Sequence, residues 1–200
     1  MPKIENGVLV QGAPTDIDSA GNMIIPNNII SVEANAYDGF TNLKSITFTA
    51  RVTSIGIGAF SNCTSLISVS LPKELAIIDS FTFDSNTSLI AIDIPNSVTS
   101  INMYAFSNCI KLASLTLPHG VINIGVSAFS GCKSLTTITI PASVATISSS
   151  AFNGCDSLQA IIIDALPGSN DFERIKLLLP FNLSDKAIPK TIYLEVTAIK

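Results

Sequence analysis

Apolar and polar positions along this chain repeat every 23 residues. The clearest sign is a small residue followed by an aromatic one, and this pair recurs at 36–37, 59–60, 82–83, 105–106, 128–129 and 151–152. Self-similarity with a period between about 20 and 50 residues is typical of a solenoid, because one unit cannot bury its apolar face without a stacked neighbour. We therefore predict about six stacked coils, which form a rod on the order of 30 Å long at the usual spacing between strands.

Within each repeat, alternating apolar residues predict one short strand. In one repeat the run contains Val69 and Leu71, and Pro72 follows directly. Alternation is typical of a strand with one buried face, and proline ends a ladder because it lacks an N–H. Each repeat is thus expected to add one strand to a parallel sheet. A second apolar pair, here Leu75 and Ile78, is expected to turn the chain back and close the core from the opposite wall.

The residues between each aromatic and the next proline resemble a known family. The pattern Phe-x-x-Cys-x-x-Leu-x-x-Ile-x-Leu-Pro occurs with small variations from Phe60 to Pro72 and from Phe129 to Pro141. Over about residues 20–163 it resembles the BspA-like class of leucine-rich repeats, although Asn86 replaces one cysteine and Thr49 one proline. The resemblance implies a secreted or cell-surface protein that attaches to host proteins, extracellular matrix or other cells. It does not identify the ligand, because the shared residues are the buried ones.

The predicted fold is a β-rich solenoid, a right-handed curved coil of leucine-rich type with a parallel sheet. We expect a single domain over residues 1–200, with an N-terminal cap and partial repeat at 1–26, 23-residue repeats at 27–163 and a C-terminal cap at 164–200. The C-terminal cap is predicted to contain a short helix that begins near Asp171, with Arg174 on its solvated face, and a closing strand from Thr191 to Thr197. Such caps are required because a solenoid must cover its terminal coils.

Composition and charge narrow the class of partner. Charged residues make up 13% of the chain and the formal net charge is −4, which argues against nucleic acid, since phosphate binding needs clustered Lys and Arg. Residues 1–12 lack a positive flank followed by an apolar run, and no stretch reaches the roughly 18 to 20 apolar residues that span a bilayer. We therefore predict no transmembrane segment and no signal peptide in this chain, and the resemblance alone implies the location.

Four cysteines, Cys63, Cys109, Cys132 and Cys155, occupy the same repeat position and are expected to form a column. A disulfide framework or a metal site is one interpretation. Zinc ligands, however, converge on one point, and a 23-residue spacing gives a ladder instead. We favour the other interpretation, four free thiols that fill a tight corner of the core and bond weakly to the backbone.

Nothing in the sequence points to catalysis. His119 is the single histidine and follows Pro118 in a turn that we expect to be exposed. There is no Gly-x-Ser-x-Gly elbow or phosphate-binding glycine loop, and the acids are scattered among different repeats. We predict that the chain is not an enzyme and has no catalytic, cofactor-binding or metal-binding residues.

Function is then expected in the outward positions, and one group of them is apolar. Just before the small–aromatic pairs of the central repeats lie Ile57, Phe81, Met103, Tyr104 and Val126. Exposed apolar clusters commonly mark contact sites, so we predict that these five residues bind a protein partner. The alternative is that they fold over the coil edge and cap the core. The outer face of the predicted sheet carries mainly Ser and Thr and lacks the Trp, Tyr and Arg anchors of binding hot spots.

The sequence therefore predicts a non-enzymatic protein-binding repeat module for adhesion or host-protein recognition at a cell surface, with a host protein or extracellular matrix as ligand. Two alternatives remain open. In one, the chain is a structural spacer or self-associating scaffold of a larger protein. In the other, it is an effector delivered into host cells.

Overall fold

The computed structural model describes residues 2–48, 51–165, 169–178 and 191–196, and these residues form a parallel β-solenoid of about seven turns. The predicted leucine-rich solenoid is confirmed. The strands are β1 (Lys3–Glu5), β2 (Val8–Gln11), β3 (Asn22–Ile25), β4 (Ser31–Val32), β5 (Ser45–Phe48), β6 (Ser54–Ile55), β7 (Ser68–Ser70), β8 (Ile77–Ile78), β9 (Ser100–Ile101), β10 (Ser114–Thr116), β11 (Asn123–Ile124), β12 (Thr137–Pro141), β13 (Thr146–Ile147), β14 (Ala160–Ala165) and β15 (Thr191–Val196). A 3-10 turn covers Pro14–Asp16, and one α-helix, α1, covers Asp171–Leu178.

One wall of each coil, the sheet wall, is built from the predicted strands. It consists of two parallel sheets, β3-β5-β7 and β10-β12-β14-β15. In β7 the side chain of Val69 is buried while Ser68 and Ser70 are exposed, as the period-two pattern predicts. Strands pair in register with the residues one repeat later, so that Ile46 lies beside Val69. The 23-residue period of the sequence is thus the hydrogen-bonding register of the sheet.

A second wall is also made of strands, which the sequence pattern did not predict. The short-strand wall joins β8, β9, β11 and β13 in one parallel sheet and β2, β4 and β6 in another. These strands are only two residues long within the repeats, and each includes one residue of the second apolar pair, such as Ile78 in β8. Two residues are too few to show an alternating pattern, so the apolar spacing indicated a wall without indicating strands.

The third wall, the turn wall, consists of the seven residues around each small–aromatic pair: 33–39, 56–62, 79–85, 102–108, 125–131 and 148–154. Backbone hydrogen bonds join its successive coils, for example from the Phe60 N–H to the Thr82 oxygen at 3.1 Å and from the Asn62 N–H to the Asp84 oxygen at 2.9 Å. Side chains at one repeat position therefore lie directly over each other along the solenoid axis. We call each such set of residues a column.

The core is organised around a column of stacked rings. Tyr37, Phe60, Phe83, Phe106, Phe129 and Phe152 are buried. Neighbouring centroids lie 5.5 to 5.9 Å apart with nearly parallel planes. Buried aromatic pairs add about 0.5–1.5 kcal/mol beyond their area burial. The recurring aromatic of the sequence is therefore the central packing element of the solenoid.

The sheet wall is broken in one repeat. A strand was predicted between Leu89 and Pro95, but the structure has only an isolated bridge between Ser70 and Asp93 there. This repeat carries Ala91 and Asp93 at its two outward positions, and both residue types are depleted in strands. The prediction of one strand in every repeat is wrong at this coil.

The N-terminal end is covered by a hairpin. Strand β1 pairs antiparallel with β2, and Asn6 and Gly7 between them both have positive φ. Such a dipeptide is the usual two-residue hairpin turn. The sequence interpretation placed an incomplete coil at this end but did not identify β1.

At the C-terminal end, helix α1 and strand β15 agree with the predicted helix and closing strand, although Thr197 lies outside the described residues. The predicted solvated position of Arg174 is only partly correct, since its side chain is 41% exposed and also packs against the last repeat. Its guanidinium donates to the carbonyl oxygen of Val144 at 2.6 Å, to that of Ala142, and to Asp171 Oδ1 at 3.1 Å. Because Arg174 donates to two carbonyl groups of the last repeat, it acts as a hydrogen-bonding cap.

Candidate recognition surface

Two aromatic side chains stack on the outside of the turn wall. Phe81 and Tyr104 each lie two residues before a ring of the core column, and both are half-buried. Their ring centroids are 5.0 Å apart and the ring planes differ by 14°. The structure thus brings together, on adjacent coils, the two aromatic residues that the repeat register placed in one column. We call them the outer aromatic pair.

The backbone at the outer aromatic pair adopts an unusual conformation. Phe81 has φ 60° and Tyr104 has φ 56°, in the left-handed region. Elsewhere in the same column, Asn35, Gly58 and Ser127 have similar φ values of 55°, 64° and 53°. Five of the six residues in this column therefore have a positive φ, and Ser150 is the exception. A bulky side chain in this region costs about 1–2 kcal/mol.

Three aliphatic side chains flank the pair in the preceding column. Ile57, Met103 and Val126 are 49%, 41% and 46% exposed. Their carbonyl oxygens accept the inter-coil hydrogen bonds of the neighbouring column, including those from the Phe81 N–H to Met103 at 3.0 Å and from the Tyr104 N–H to Val126 at 2.9 Å. The five predicted residues therefore lie in two adjacent columns on four successive coils, and we call them the apolar patch.

The turn wall around the apolar patch carries charge of one sign. Its seven-residue segments contain Glu33, Asp38, Asp79 and Asp84 but no Lys or Arg. Asp79 Oδ1 accepts hydrogen bonds from the Ser80 N–H at 2.7 Å and from Asn102 Nδ2 at 3.0 Å. This carboxylate is therefore held between the coil of Phe81 and the coil of Tyr104.

Sequence reasoning identified the five residues of the patch but not the left-handed backbone beneath the rings. A signal was present, because the same column contains Asn35 and Gly58, and the column four residues later contains Asn62, Asn108 and Gly131. Asn and Gly are the residues that most readily adopt positive φ. Their recurrence at fixed repeat positions indicates two left-handed residues per turn, and it marks Phe81 and Tyr104 as exceptions.

The cysteine column lies inside the core. Cys63, Cys109, Cys132 and Cys155 are buried free thiols, and each Sγ donates to the carbonyl oxygen 26 residues earlier at 3.1 to 3.2 Å. Burial raises the pKa of Cys63 and of Cys155 to about 12, and it raises the pKa of Cys109 and of Cys132 well above the ordinary value. These thiols are protonated and unreactive at neutral pH, since the thiolate is the nucleophile.

Asn86 replaces cysteine in this column and fits it poorly. Its Nδ2 donates to the Phe60 carbonyl oxygen at 2.9 Å, as the thiols do in their repeats, but its buried Oδ1 has no hydrogen-bond partner. We expect Asn86→Cys to raise the free energy of unfolding by about 1–3 kcal/mol, which is the usual penalty for an unsatisfied buried polar group. Urea unfolding of the variant and of the original protein measures this difference. Cys109→Asn serves as the reverse control and is expected to destabilise the protein, whereas equal stability of all three proteins would contradict the account of Asn86.

Other polar groups do not converge. His119 is exposed, and its Nε2 lies 3.6 Å from Asp164 Oδ2. Within the described residues, no group of three or more His, Cys, Asp or Glu is placed to hold a metal ion. An open cavity of about 350 Å³ lies at the break in the sheet wall, where Asp93 provides the one carboxylate of the lining and Ser114 and Thr116 provide hydroxyls.

Comparisons with known proteins agree with this architecture. The BspA type leucine rich repeat region, in six copies, matches residues 16–111 and 85–178. No curated protein matches the chain. No helix among the described residues is long and apolar enough to cross a membrane.

Several solved structures share the fold. A leucine-rich repeat protein from T. pallidum is 27% identical with a TM-score of 0.71, over 77% of this chain and 72% of that protein. One from Bacteroides ovatus is 27% identical with a TM-score of 0.69, over 81% of this chain and 46% of that protein. A leucine rich cell surface protein from Faecalibacterium prausnitzii is 26% identical with a TM-score of 0.55, over 88% of this chain and 38% of that protein. The chain spans less than half the length of the last two proteins.

Proposed function

This chain belongs to the BspA-type leucine-rich repeat family, and from that premise we propose that it is a non-enzymatic module that binds a protein through the apolar patch. Repeats of this family are in general protein-interaction scaffolds. In this chain, the apolar patch is the surface that makes the contact. The contact serves adhesion or the recognition of a host or matrix protein.

The outer aromatic pair is the observation that carries this proposal. At the same column position other repeats have Asn35, Gly58 and Ser127, so the coil geometry does not need an aromatic ring there. Phe81 and Tyr104 hold their rings on the outside of the coil in a backbone conformation that disfavours bulky side chains. Strain of this kind is found at binding and active sites, and tyrosine is enriched among hot-spot residues.

The sheet wall supports the proposal by contrast. Its outward residues are mainly Ser and Thr, for example Ser68 and Ser70 in β7 and Ser114 and Thr116 in β10. Such small side chains bury little apolar area on contact. The apolar patch instead extends over the four coils from Ile57 to Val126, about 15 Å along the axis at the usual strand spacing. This length suits a compact protein interface.

A location at the cell surface or outside the cell is part of the proposal. The F. prausnitzii protein that shares the fold is described as a cell surface protein, and that description supports the same location for this chain. Where the module is part of a longer protein, the activity of that protein is likewise a proposal.

The proposal predicts that Phe81→Asn together with Tyr104→Asn abolishes partner binding. Asparagine suits the left-handed backbone, so the variant keeps the coil and loses the rings. The experiment is a pull-down from host-cell lysate and from extracellular matrix, followed by affinity measurement with the purified partner. Loss of two hot-spot side chains is expected to weaken binding at least a hundredfold, or about 3 kcal/mol.

The matched control is Ile67→Asn together with Ile90→Asn. These residues are 45% and 52% exposed on adjacent coils but lie outside the turn wall, and their replacement is expected to leave the affinity unchanged. A partner that binds the aromatic variant as well as the original protein would contradict the proposed surface. Failure of the original protein to capture any partner would contradict the binding function and favour a spacer or self-associating scaffold.

A further inference from the structure

The charges around the outer aromatic pair indicate what kind of side chain it receives. Resting on the proposed function, we infer that the partner inserts a cationic side chain, best an arginine, against the rings of Phe81 and Tyr104, between apolar residues that contact the rest of the apolar patch. The partner is thus a protein segment that is both basic and apolar.

Two carboxylates, those of Asp79 and Asp84, belong to the coil of Phe81. Asp79 lies two residues before Phe81 and Asp84 three residues after it, so both belong to the same turn-wall segment as that ring. The hydrogen bond from Asn102 to Asp79 holds this carboxylate toward the coil of Tyr104. A cation at the rings therefore meets a wall whose charged residues are all acidic, while an anionic group there would be repelled.

In the described part of the chain, the turn-wall segments contain no Lys or Arg that would compete with a cation from the partner. Lys111 and Lys133 are the lysines nearest in sequence to a turn-wall segment. They follow segments 102–108 and 125–131 and lie in the turns that lead to the next strand. Among the described residues, the ion pairs involve neither Asp79 nor Asp84, and the charge of the turn wall is complementary to a positive partner.

The rings of Phe81 and Tyr104 favour arginine as the cation. An aromatic face attracts a cation within about 6 Å of its centroid, and arginine stacks on such faces more often than lysine because its guanidinium is planar and weakly hydrated. The half-buried rings of the outer aromatic pair lie beside Ile57, Met103 and Val126, which are exposed. A guanidinium stacks on the rings, and its apolar neighbours in the partner contact the three aliphatic side chains.

The test uses a displayed random peptide library selected on the immobilised full chain, with the Phe81→Asn, Tyr104→Asn variant for counter-selection. The expected result is a set of peptides that need the two rings and share an arginine next to apolar residues. Replacing that arginine with neutral citrulline in a synthetic peptide is expected to weaken binding at least tenfold in fluorescence anisotropy.

A charge variant separates the role of the acids. Asp79→Asn with Asp84→Asn keeps an oxygen acceptor at each position and is expected to weaken the arginine peptide several-fold while leaving the citrulline peptide unchanged. Glu74→Gln, an exposed acid outside the turn wall, is the control and is expected to have no effect.

The outcomes distinguish this inference from the proposed function. Selected peptides that need the rings but contain no cation, or that bind equally well with citrulline, would overturn the inference and leave the proposed surface intact. Peptides that bind without the rings, or the absence of any selected peptide, would overturn both.

Discussion

Truncation of Phe106 to alanine is expected to lower the free energy of unfolding by about 3–5 kcal/mol. The ring is fully buried, and it stacks on Phe83 and on Phe129 with centroid distances of 5.6 Å on both sides. Its removal leaves a cavity in the middle of the core column that neighbouring coils cannot fill, because their backbones are fixed by inter-coil hydrogen bonds. Urea unfolding followed by circular dichroism measures the change.

Phe48→Ala is the matched control for this prediction. Phe48 is half-buried and contacts the ring of Phe60 edge to face at 6.1 Å, so the same chemical change is expected to cost clearly less. Equal losses for the two variants would show that position in the core column does not determine the contribution of a ring. A loss below about 1 kcal/mol for Phe106→Ala would contradict the central packing role of the column.

The second large effect is a loss of stability in alkaline solution. The unfolded thiols ionise near pH 9, whereas in the folded protein burial raises the pKa of Cys63 and Cys155 to about 12 and raises that of Cys109 and Cys132 well above 9. Below pH 9 the thiols are protonated in both states, and the folded state keeps its full stability. Between pH 9 and 12 only the unfolded state releases protons, so stability falls as the pH rises.

The expected size is about 1.4 kcal/mol for each thiol and each pH unit above 9. Four thiols together therefore give a loss of about 6 kcal/mol at pH 10, a large part of the stability of an ordinary domain. Burial and the hydrogen bond to Asp16 also raise the pKa of Tyr37, which adds to the loss at still higher pH.

Urea unfolding in the presence of reductant, repeated at intervals from pH 8 to pH 10.5, tests this expectation. The Cys155→Ala variant is the control, since it removes one of the four groups and is expected to reduce the slope above pH 9 by about a quarter. A free energy of unfolding that stays constant across this range would show that the thiols ionise without unfolding the protein.

Much of this fold could be predicted because the repeat makes each residue type report on its position several times. The aromatic at one position and the leucine six residues later are nearly invariant across repeats, as in Phe60 and Leu66 or Phe129 and Leu135. Their burial follows from periodicity alone. The short strands of the second wall could not be predicted in the same way, because a pair such as Ile77–Ile78 carries no alternation.

The candidate site was predictable in its membership but not in its geometry. The register places Phe81 and Tyr104 on adjacent coils, yet it does not give the 5.0 Å stacking of their rings or the left-handed backbone. Those features depend on how the turn wall closes each coil, which the pattern of apolar residues does not determine.

One repeat concentrates the departures from the rules that the others obey. It has an aromatic residue at a left-handed position, Phe81, and a buried amide without a partner for its oxygen, Asn86. It also lacks the sheet-wall strand around Asp93. Sites where local rules are broken without a structural gain are expected to be functional, and this repeat contributes Phe81 to the proposed binding surface.

The most direct test of this account is the free energy of unfolding of the Phe81→Asn, Tyr104→Asn variant, measured by urea denaturation without any ligand. Asparagine adopts the left-handed backbone at a lower cost than an aromatic residue, for which that cost is about 1–2 kcal/mol, and this gain offsets the roughly 0.5–1.5 kcal/mol of the ring stacking and the partial burial of the rings. The account predicts a variant that is as stable as the original protein or slightly more stable, because the rings serve recognition. A loss of more than about 2 kcal/mol would instead show that the outer aromatic pair caps the core, and it would contradict the proposed surface.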